Sequence, residues 1–447
     1  MSALHRTALL LVGVLLSACQ NAPPPAGSSP SPAAATSSAI AERSTPLAIA
    51  RRLALAPPTG TSAIDRELAR LQPIAEKQPG QPEPWVALGR VWVRKAREAS
   101  DPGFYLGAKA CADLALDAAP GDRPATNLLG LVLLNDHKFD DARDLASQIL
   151  ARSPEDLMAL GTLSDALVEL GRYDEAIKAT EKMAQLKPNL PSYIRASYLQ
   201  WLRGDVSAAK ESARLAVDSG RDPREPEPRC WALVQAAMIF WNEGDASGAD
   251  AGFEDAVKAC SDYPPALVGR GRVAMAGGDF TRAIDYLGRA YAQSPLVETA
   301  WLLGDAREAA GDLKGAEAVR AELVKHGRMV DGRTLSLFFS TKGRDLDEAV
   351  SLARAEKKIR DDIYTEDALA WALYRKGDIP GARAASDKAM ALGTKDPRLL
   401  YHAGAIRIAA GDKAAGPKLV REALKLNPAF DRTGAAEAAL SEKGPGG

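Results

Sequence analysis

Histidine and cysteine are the side chains best suited to holding a metal or attacking a substrate, and this 447-residue chain has four of each. His5, His137, His326 and His402 are scattered, and none has a second histidine or a cysteine at ligand spacing. No Gly-x-Ser-x-Gly, His-Glu-x-x-His or phosphate-loop string occurs. The "GRGRVA" string at Gly269 follows no strand and lies within helical sequence. These residues offer no catalytic centre, no metal site and no cofactor cradle, and only an unmatched constellation around His326 would revive an enzyme. Three of the cysteines, Cys111, Cys230 and Cys260, fall in helical sequence, while Cys19 closes a short apolar run.

That run has a chemistry of its own. Arg6 is the one strong base ahead of Cys19, Thr7 to Leu16 is mostly Leu, Val and Ala, and Leu16-Ser17-Ala18-Cys19 ends the stretch. The layout is that of a secretory signal, and the run is too short for a membrane span, which needs about 20 residues. It resembles a bacterial lipoprotein signal peptide, whose four-residue box is cleaved before the cysteine so that the thiol can receive a diacylglyceryl group. The resemblance implies a lipidated Cys19, and Gln20 in place of Asp implies an outer-membrane anchor facing the periplasm. Ordinary secretion, with Cys19 an incidental thiol, is the alternative. Residues 19–45 are Pro, Ala, Ser and Thr with little to pack, and read as a disordered tether. As a coil it spans about 28 Å, and as extended polyproline II about 80 Å.

Lys and Arg total 57 against 58 Asp and Glu. That balance argues against nucleic acid, which demands a basic surplus. The abundance of Ala and Leu favours helix, because these residues lose least on entering one.

What positions the side chains is a repeat. Pro120, Pro154 and Pro188 are 34 residues apart. An alanine twelve residues before each continues the period at Ala108, Ala142, Ala176, Ala209, Ala249, Ala283, Ala316, Ala349 and Ala382, with Gly416 last. The one long step coincides with "DPREPEP" at Asp222 to Pro228, which reads as a longer loop. Strings such as "GRYDEA" at Gly171, "GDVSAA" at Gly204 and "GDLKGA" at Gly311 put a glycine where one helix ends and a capping residue where the next begins. Each period is then a helix, a tight turn and a second helix.

The 34-residue period, "WVALG" at Trp85, "LLGDA" at Leu302, "YHAG" at Tyr401 and the paired Ala and Pro resemble tetratricopeptide repeats. The resemblance implies an all-α, right-handed helix-turn-helix solenoid of about ten repeats over residues 82–428. Leading helices occupy 46–81, and a capping helix at Gly434 to Glu442 and a flexible tail occupy 429–447. It departs around Arg97 to Gly103, where residues are added, and at Arg333 to Ser340, where the first helix is short.

Such arrays imply a concave trough lined by first helices that takes a peptide or helix from a partner. Tyr198, Trp201, Trp231, Met238, Trp241, Met275, Trp301, Tyr364, Trp371 and Tyr374 are the large first-helix residues expected to face it. The alternative is that they are core, and a one-residue slip would turn Trp201 inward. Cys230 opens the first helix of its repeat and Cys260 ends the second, so antiparallel pairing predicts a disulfide, against two buried free thiols. The expected function is a lipid-anchored periplasmic scaffold that binds an envelope protein, with no cofactor and with the membrane met only through the lipid. A carrier of lipid or a small apolar solute is the rival reading.

Overall fold

The computed structural model describes residues 45–430. The signal segment, Cys19, the tether as far as residue 44 and the helix expected at Gly434 to Glu442 therefore lie outside the described residues. Contacts divide the chain between Ala48 and Ile49, and all the repeats lie in the second part.

Among the described residues every regular element is helical. Helices α1 (Pro46–Ala54) and α2 (Ala63–Lys77) lead. Ten antiparallel pairs follow. Repeats 1 to 5 are α3 and α4 (Pro82–Ala99, Tyr105–Ala118), α5 and α6 (Arg123–Asn135, Phe139–Arg152), α7 and α8 (Leu157–Glu169, Tyr173–Leu186), α9 and α10 (Leu190–Leu202, Val206–Ser219), and α11 and α12 (Glu227–Asn242, Ala246–Ala259). Repeats 6 to 10 are α13 and α14 (Pro264–Ala276, Phe280–Gln293), α15 and α16 (Val297–Ala309, Leu313–Val330), α17 and α18 (Gly332–Lys342, Leu346–Glu356), α19 and α20 (Ile363–Lys376, Ile379–Ala389), and α21 and α22 (Pro397–Ala409, Ala415–Leu426).

Local chemistry explains the regularity. Asp205, Asp245, Asp279, Asp312 and Asp378 each accept the N–H three residues on at 2.8–3.1 Å, which satisfies a donor left free at the start of the second helix. The marker alanines are fully buried where the two helices of a repeat cross. Ser164, Ser197 and Gly304 lie against Ala176, Ala209 and Ala316, and Gly404 against Gly416, each small enough for close approach. The serines add a bond: Ser197 Oγ donates to the Ala209 carbonyl at 2.7 Å, and Ser336 Oγ to that of Ala349 at 2.8 Å.

The solenoid closes on itself after about five repeats. The turns within repeats 1, 3, 4 and 5 each meet the loop that follows the repeat five places later, while His137 in the turn of repeat 2 meets Arg360 after repeat 8. Ser294 Oγ donates to the Ser100 carbonyl at 2.5 Å, Asp361 N to Glu169 O at 2.8 Å, and Asn427 Nδ2 to Trp241 O at 2.6 Å. Ile363 N donates to Tyr173 Oη at 2.8 Å. Gly171, Gly204 and Gly244 serve this seam twice over. Their φ values of 71°, 75° and 81° are left-handed, and a Cβ on any of them would run into the carbonyl oxygen of Asp361, Gly393 or Leu426. Gly278, Gly311, Gly377 and Gly411 share the left-handed φ, but among the described residues a Cβ there would meet open space.

The irregular stretches have plain forms. Repeat 1 absorbs its added residues in an 18-residue α3 and a 3-10 turn, Pro102–Phe104. Repeat 8 has an 11-residue α17 after an 18-residue α16. The long loop before α11 turns Glu225 onto Arg94 of α3, which also pairs with Glu67 of α2.

Gly311→Ala should cost about 1–2 kcal/mol from the left-handed backbone alone. Gly204→Ala should cost about 1–3 kcal/mol more, because the added methyl also pushes the two turns apart. Urea midpoints of the two variants check this, and equal losses would mean that the seam contributes nothing.

Candidate functional site: the inner face of the superhelix

Side chains placed 18, 11 or 8 residues ahead of the marker alanine project from the first helix in three rows, and the structure treats the rows differently. Trp231 and Met158, both in the first row, keep 42% and 41% of their surface exposed, and Tyr198 in the second keeps 38%. Trp201 and Trp241 share the third row and are buried. For these two the trough reading is corrected: a residue eight ahead of the alanine turns toward its neighbours in the stack. Trp201 packs among Leu202, Ile363 and Leu399, and its Nε1 donates to Tyr364 Oη at 3.2 Å, so it belongs to the seam. Trp241 lies with Phe253, Tyr263 and Ala237 in the core of repeat 5.

Trp371 is corrected as well, for another reason. Its row matches that of Tyr198, but repeat 10 covers it. The ring stacks on His402 at 3.9 Å between centroids and on Tyr374 at 5.0 Å, and its Nε1 donates to Thr341 Oγ1 at 3.3 Å. His402 in turn holds Asp367 at 2.9 Å through Nδ1. Met238, Met275 and Trp301 are half-buried against the core; Trp301 donates to Asp305 at 3.0 Å and meets Phe338 edge-on. Met158 was missed in the sequence, although its place 18 residues before Ala176 repeats that of Trp231 before Ala249.

The exposed aromatics do not look onto bulk solvent. Tyr198 faces Tyr364, Glu169 and Asp362 from other repeats, and lost solvation together with these groups pushes its phenol well above the usual range. Water reaches it inside the superhelix, between facing first helices. Carboxylates there are sorted by their partners. Arg272 at 2.5 Å holds Glu298 below its ordinary value. Burial and Asp362 raise Glu169 despite Arg360 at 3.2 Å. Burial also raises Glu227, which accepts the Tyr263 hydroxyl at 2.8 Å. Arg195 clamps Asp165 through two bonds of 2.8 and 2.6 Å. A depression of about 270 Å³ nearby is lined by Arg97, Tyr105, Leu131, Asn135, Asp165 and Glu169, among others. The interior is thus an ion-paired wall with three exposed apolar side chains, suited to gripping a chain that carries both apolar and polar groups.

The remaining titratable side chains fit structural roles. His137 sits in a turn with φ 56°, and burial together with Arg360, 3.4 Å from its Nδ1, lowers its pKa and keeps it neutral. Cys111 is a buried free thiol that burial keeps protonated. Cys230 and Cys260 are joined as a disulfide with Cα atoms 6.2 Å apart, closing the ends of repeat 5. Among the described residues no helix is long and apolar enough to cross a membrane, and no three His, Cys, Asp or Glu side chains gather as a metal site.

This geometry is that of an all-helical tetratricopeptide-repeat solenoid, and the chain matches the tetratricopeptide repeat over residues 127–191, 234–298 and 268–327. One curated relative, "Cellulose synthase operon protein C" of Pseudomonas fluorescens (strain SBW25), is 28% identical over 235 residues, which is 50% of this chain. The chain spans only 17% of that relative's length. Among solved structures, PilW, titled a type IV pilus biogenesis factor, aligns with TM-score 0.39 and 17% identity over 46% of this chain and 93% of its own. Human IFIT1 aligns with TM-score 0.47 and 13% identity over 87% and 93%. Neither superposition bears on function.

Trp371→Ala should cost about 3–5 kcal/mol of stability, whereas Trp231→Ala should stay within about 0.5 kcal/mol of wild type. Chemical denaturation of both variants measures the contrast, and a large loss at Trp231 would make it core. Glu227→Gln tests the buried carboxylate. A raised folded pKa means that the ionised form is disfavoured in the fold, so wild type gains stability as pH falls through that value toward the unfolded one. The variant should therefore melt higher than wild type near pH 7 and lose that advantage by about pH 3, below the ordinary glutamate value of about 4.3.

Proposed function

We propose that this protein is a lipid-anchored scaffold of the bacterial envelope, held by Cys19 on the periplasmic side of the outer membrane, whose repeats bind a segment of a protein partner. The observation that carries the reading is the set of exposed large side chains on first helices, Met158, Tyr198 and Trp231, one in each of three consecutive repeats. Flat and flexible apolar groups of this kind give contact area that adapts to a bound chain. The ion pairs around them offer hydrogen-bonding edges to its backbone. Binding, not catalysis, is the work of the array. The anchor reading rests on the Leu-Ser-Ala-Cys box and the tether behind it. The relative named for a cellulose synthase operon is consistent with a role in assembling envelope machinery.

Because the seam closes the superhelix, the partner enters from an end or along the interior and does not lie across an open trough. An extended segment suits that path better than a folded domain. A lipid cargo is the competing occupant, and it fits less well beside so many paired charges.

Photo-crosslinking groups at Trp231 and Tyr198 in intact cells should capture one protein that sites on the outer surface do not. Capture of lipid alone, or of nothing, would remove the scaffold reading. With the captured protein in hand, Trp231→Ala should weaken binding by about 2 kcal/mol, roughly thirtyfold in Kd, with an unchanged melting temperature. Labelled fatty acid should enter the wild-type chain and not Cys19→Ser; equal labelling of both would dismiss the anchor.

A further inference from the structure

The seam has two faces, and the chain uses each of them once. Turns of repeats 1 to 5 supply one face, and loops after repeats 6 to 10 supply the other. Counterparts of the two faces recur toward the ends of the array. Turns of repeats 6, 7, 9 and 10 present Gly278, Gly311, Gly377 and Gly411 in the left-handed conformation, each facing open space. At the opposite end, the loops after repeats 1, 2 and 3 carry Ala119-Pro120, Ser153-Pro154 and Lys187-Pro188, the pattern that serves the seam as Ser294-Pro295 and Asn427-Pro428.

Two details show that these ends keep the features of a joint. The first concerns Leu313. The residue that opens the second helix is Tyr173 in repeat 3, bonded across the seam, and Val206 in repeat 4, packed in the cluster that holds Ile363 and Leu399. Its counterpart in repeat 7, Leu313, is 65% exposed. The second concerns Ser153. In the seam, Ser294 Oγ gives its proton to the carbonyl of Ser100. Ser153, at the same place in the loop after repeat 2, accepts at its Oγ from Arg123 at 3.4 Å. Ser153 borders a shallow depression of about 340 Å³ with Arg123, Pro154, Glu155 and Asp156, where a turn would sit if the seam continued.

The geometry points to a second copy of this chain as the occupant: the turn of repeat 7, with Gly311 and Leu313, docks on the loop after repeat 2 of the next molecule, with Ser153 and Pro154, continuing the internal seam head to tail. The two faces differ, so the joint is heterologous and does not close on itself; it yields dimers with free ends and then short rods. Anchoring many copies on one membrane raises their local concentration and favours the joint. This inference goes beyond the binding of a partner inside the superhelix and does not depend on it.

The test is sedimentation velocity of the full chain in detergent across a concentration series. Wild type should gain mass with concentration in steps of one chain. Leu313→Arg spoils one face and Ser153→Arg the other, and each alone should stay monomeric while melting like wild type. Mixed together they should form a dimer and nothing larger, since one sound face remains on each. A wild-type chain that is monomeric throughout overturns the proposal, as do single variants that still assemble. Should the mixture remain monomeric while wild type dimerises, the joint is symmetric and the head-to-tail arrangement is wrong.

Discussion

The contact on which this structure depends is that of a glycine Cα laid against a backbone carbonyl one superhelical turn away. Gly171, Gly204 and Gly244 each make it, against Asp361, Gly393 and Leu426. Stacking of neighbours would by itself give an open spiral, because each helix pair touches only the next. The glycine contacts set how tightly the spiral is wound. They bring Trp201 within reach of Tyr364 and Ile363 within reach of Tyr173. A side chain at those glycines would hold the turns apart, and the inner face would become a trough open along its length.

That winding decides what the inner face can be. Tyr198 of repeat 4 is brought near Tyr364 and Asp362 from across the winding, while neighbouring repeats pair Arg272 with Glu298 and Arg333 with Asp362, at 2.5 and 3.3 Å. Burial of so many charges is tolerable because they are paired; an unpaired one would cost several kcal/mol. Apolar side chains within this wall are therefore conspicuous. Trp231, Met158 and Tyr198 have a packing alternative in the stack, which Trp241 and Trp201 take, and they do not use it.

The repeat was legible in the sequence because its physical causes are local. A left-handed glycine, a capping aspartate and an alanine at the helix crossing recur at a fixed spacing, and each can be read within a few residues of itself. The ten helix pairs follow from them. The seam was not legible, since nothing near Gly204 distinguishes it from Gly311: both sit in a "GD" turn with the same backbone conformation. Only the chain 190 residues further on separates them. The aromatic row was legible in part for a related reason. Helical register assigns a side chain to a face, but whether that face is covered depends on the next repeat, as His402 does for Trp371. Trp201 and Trp241 show a second limit, since large first-helix residues suggest the trough while a place eight residues before the alanine turns them into the stack.

The seam bonds named here join residues 163 to 194 apart in sequence. The helix pairs and their stacking form between neighbours and so form early, whereas these contacts wait for a very long loop to close. As the chain emerges, repeats 1 to 5 can stack in order while their turns remain bare until the second half arrives. Asn427, which reaches Trp241 from just beyond α22, completes the last of these contacts, so a chain cut between α22 and Asn427 would keep its helices and lose this latch. The inner face therefore takes its final form only after repeat 10 and the loop just beyond it have met the turn of repeat 5.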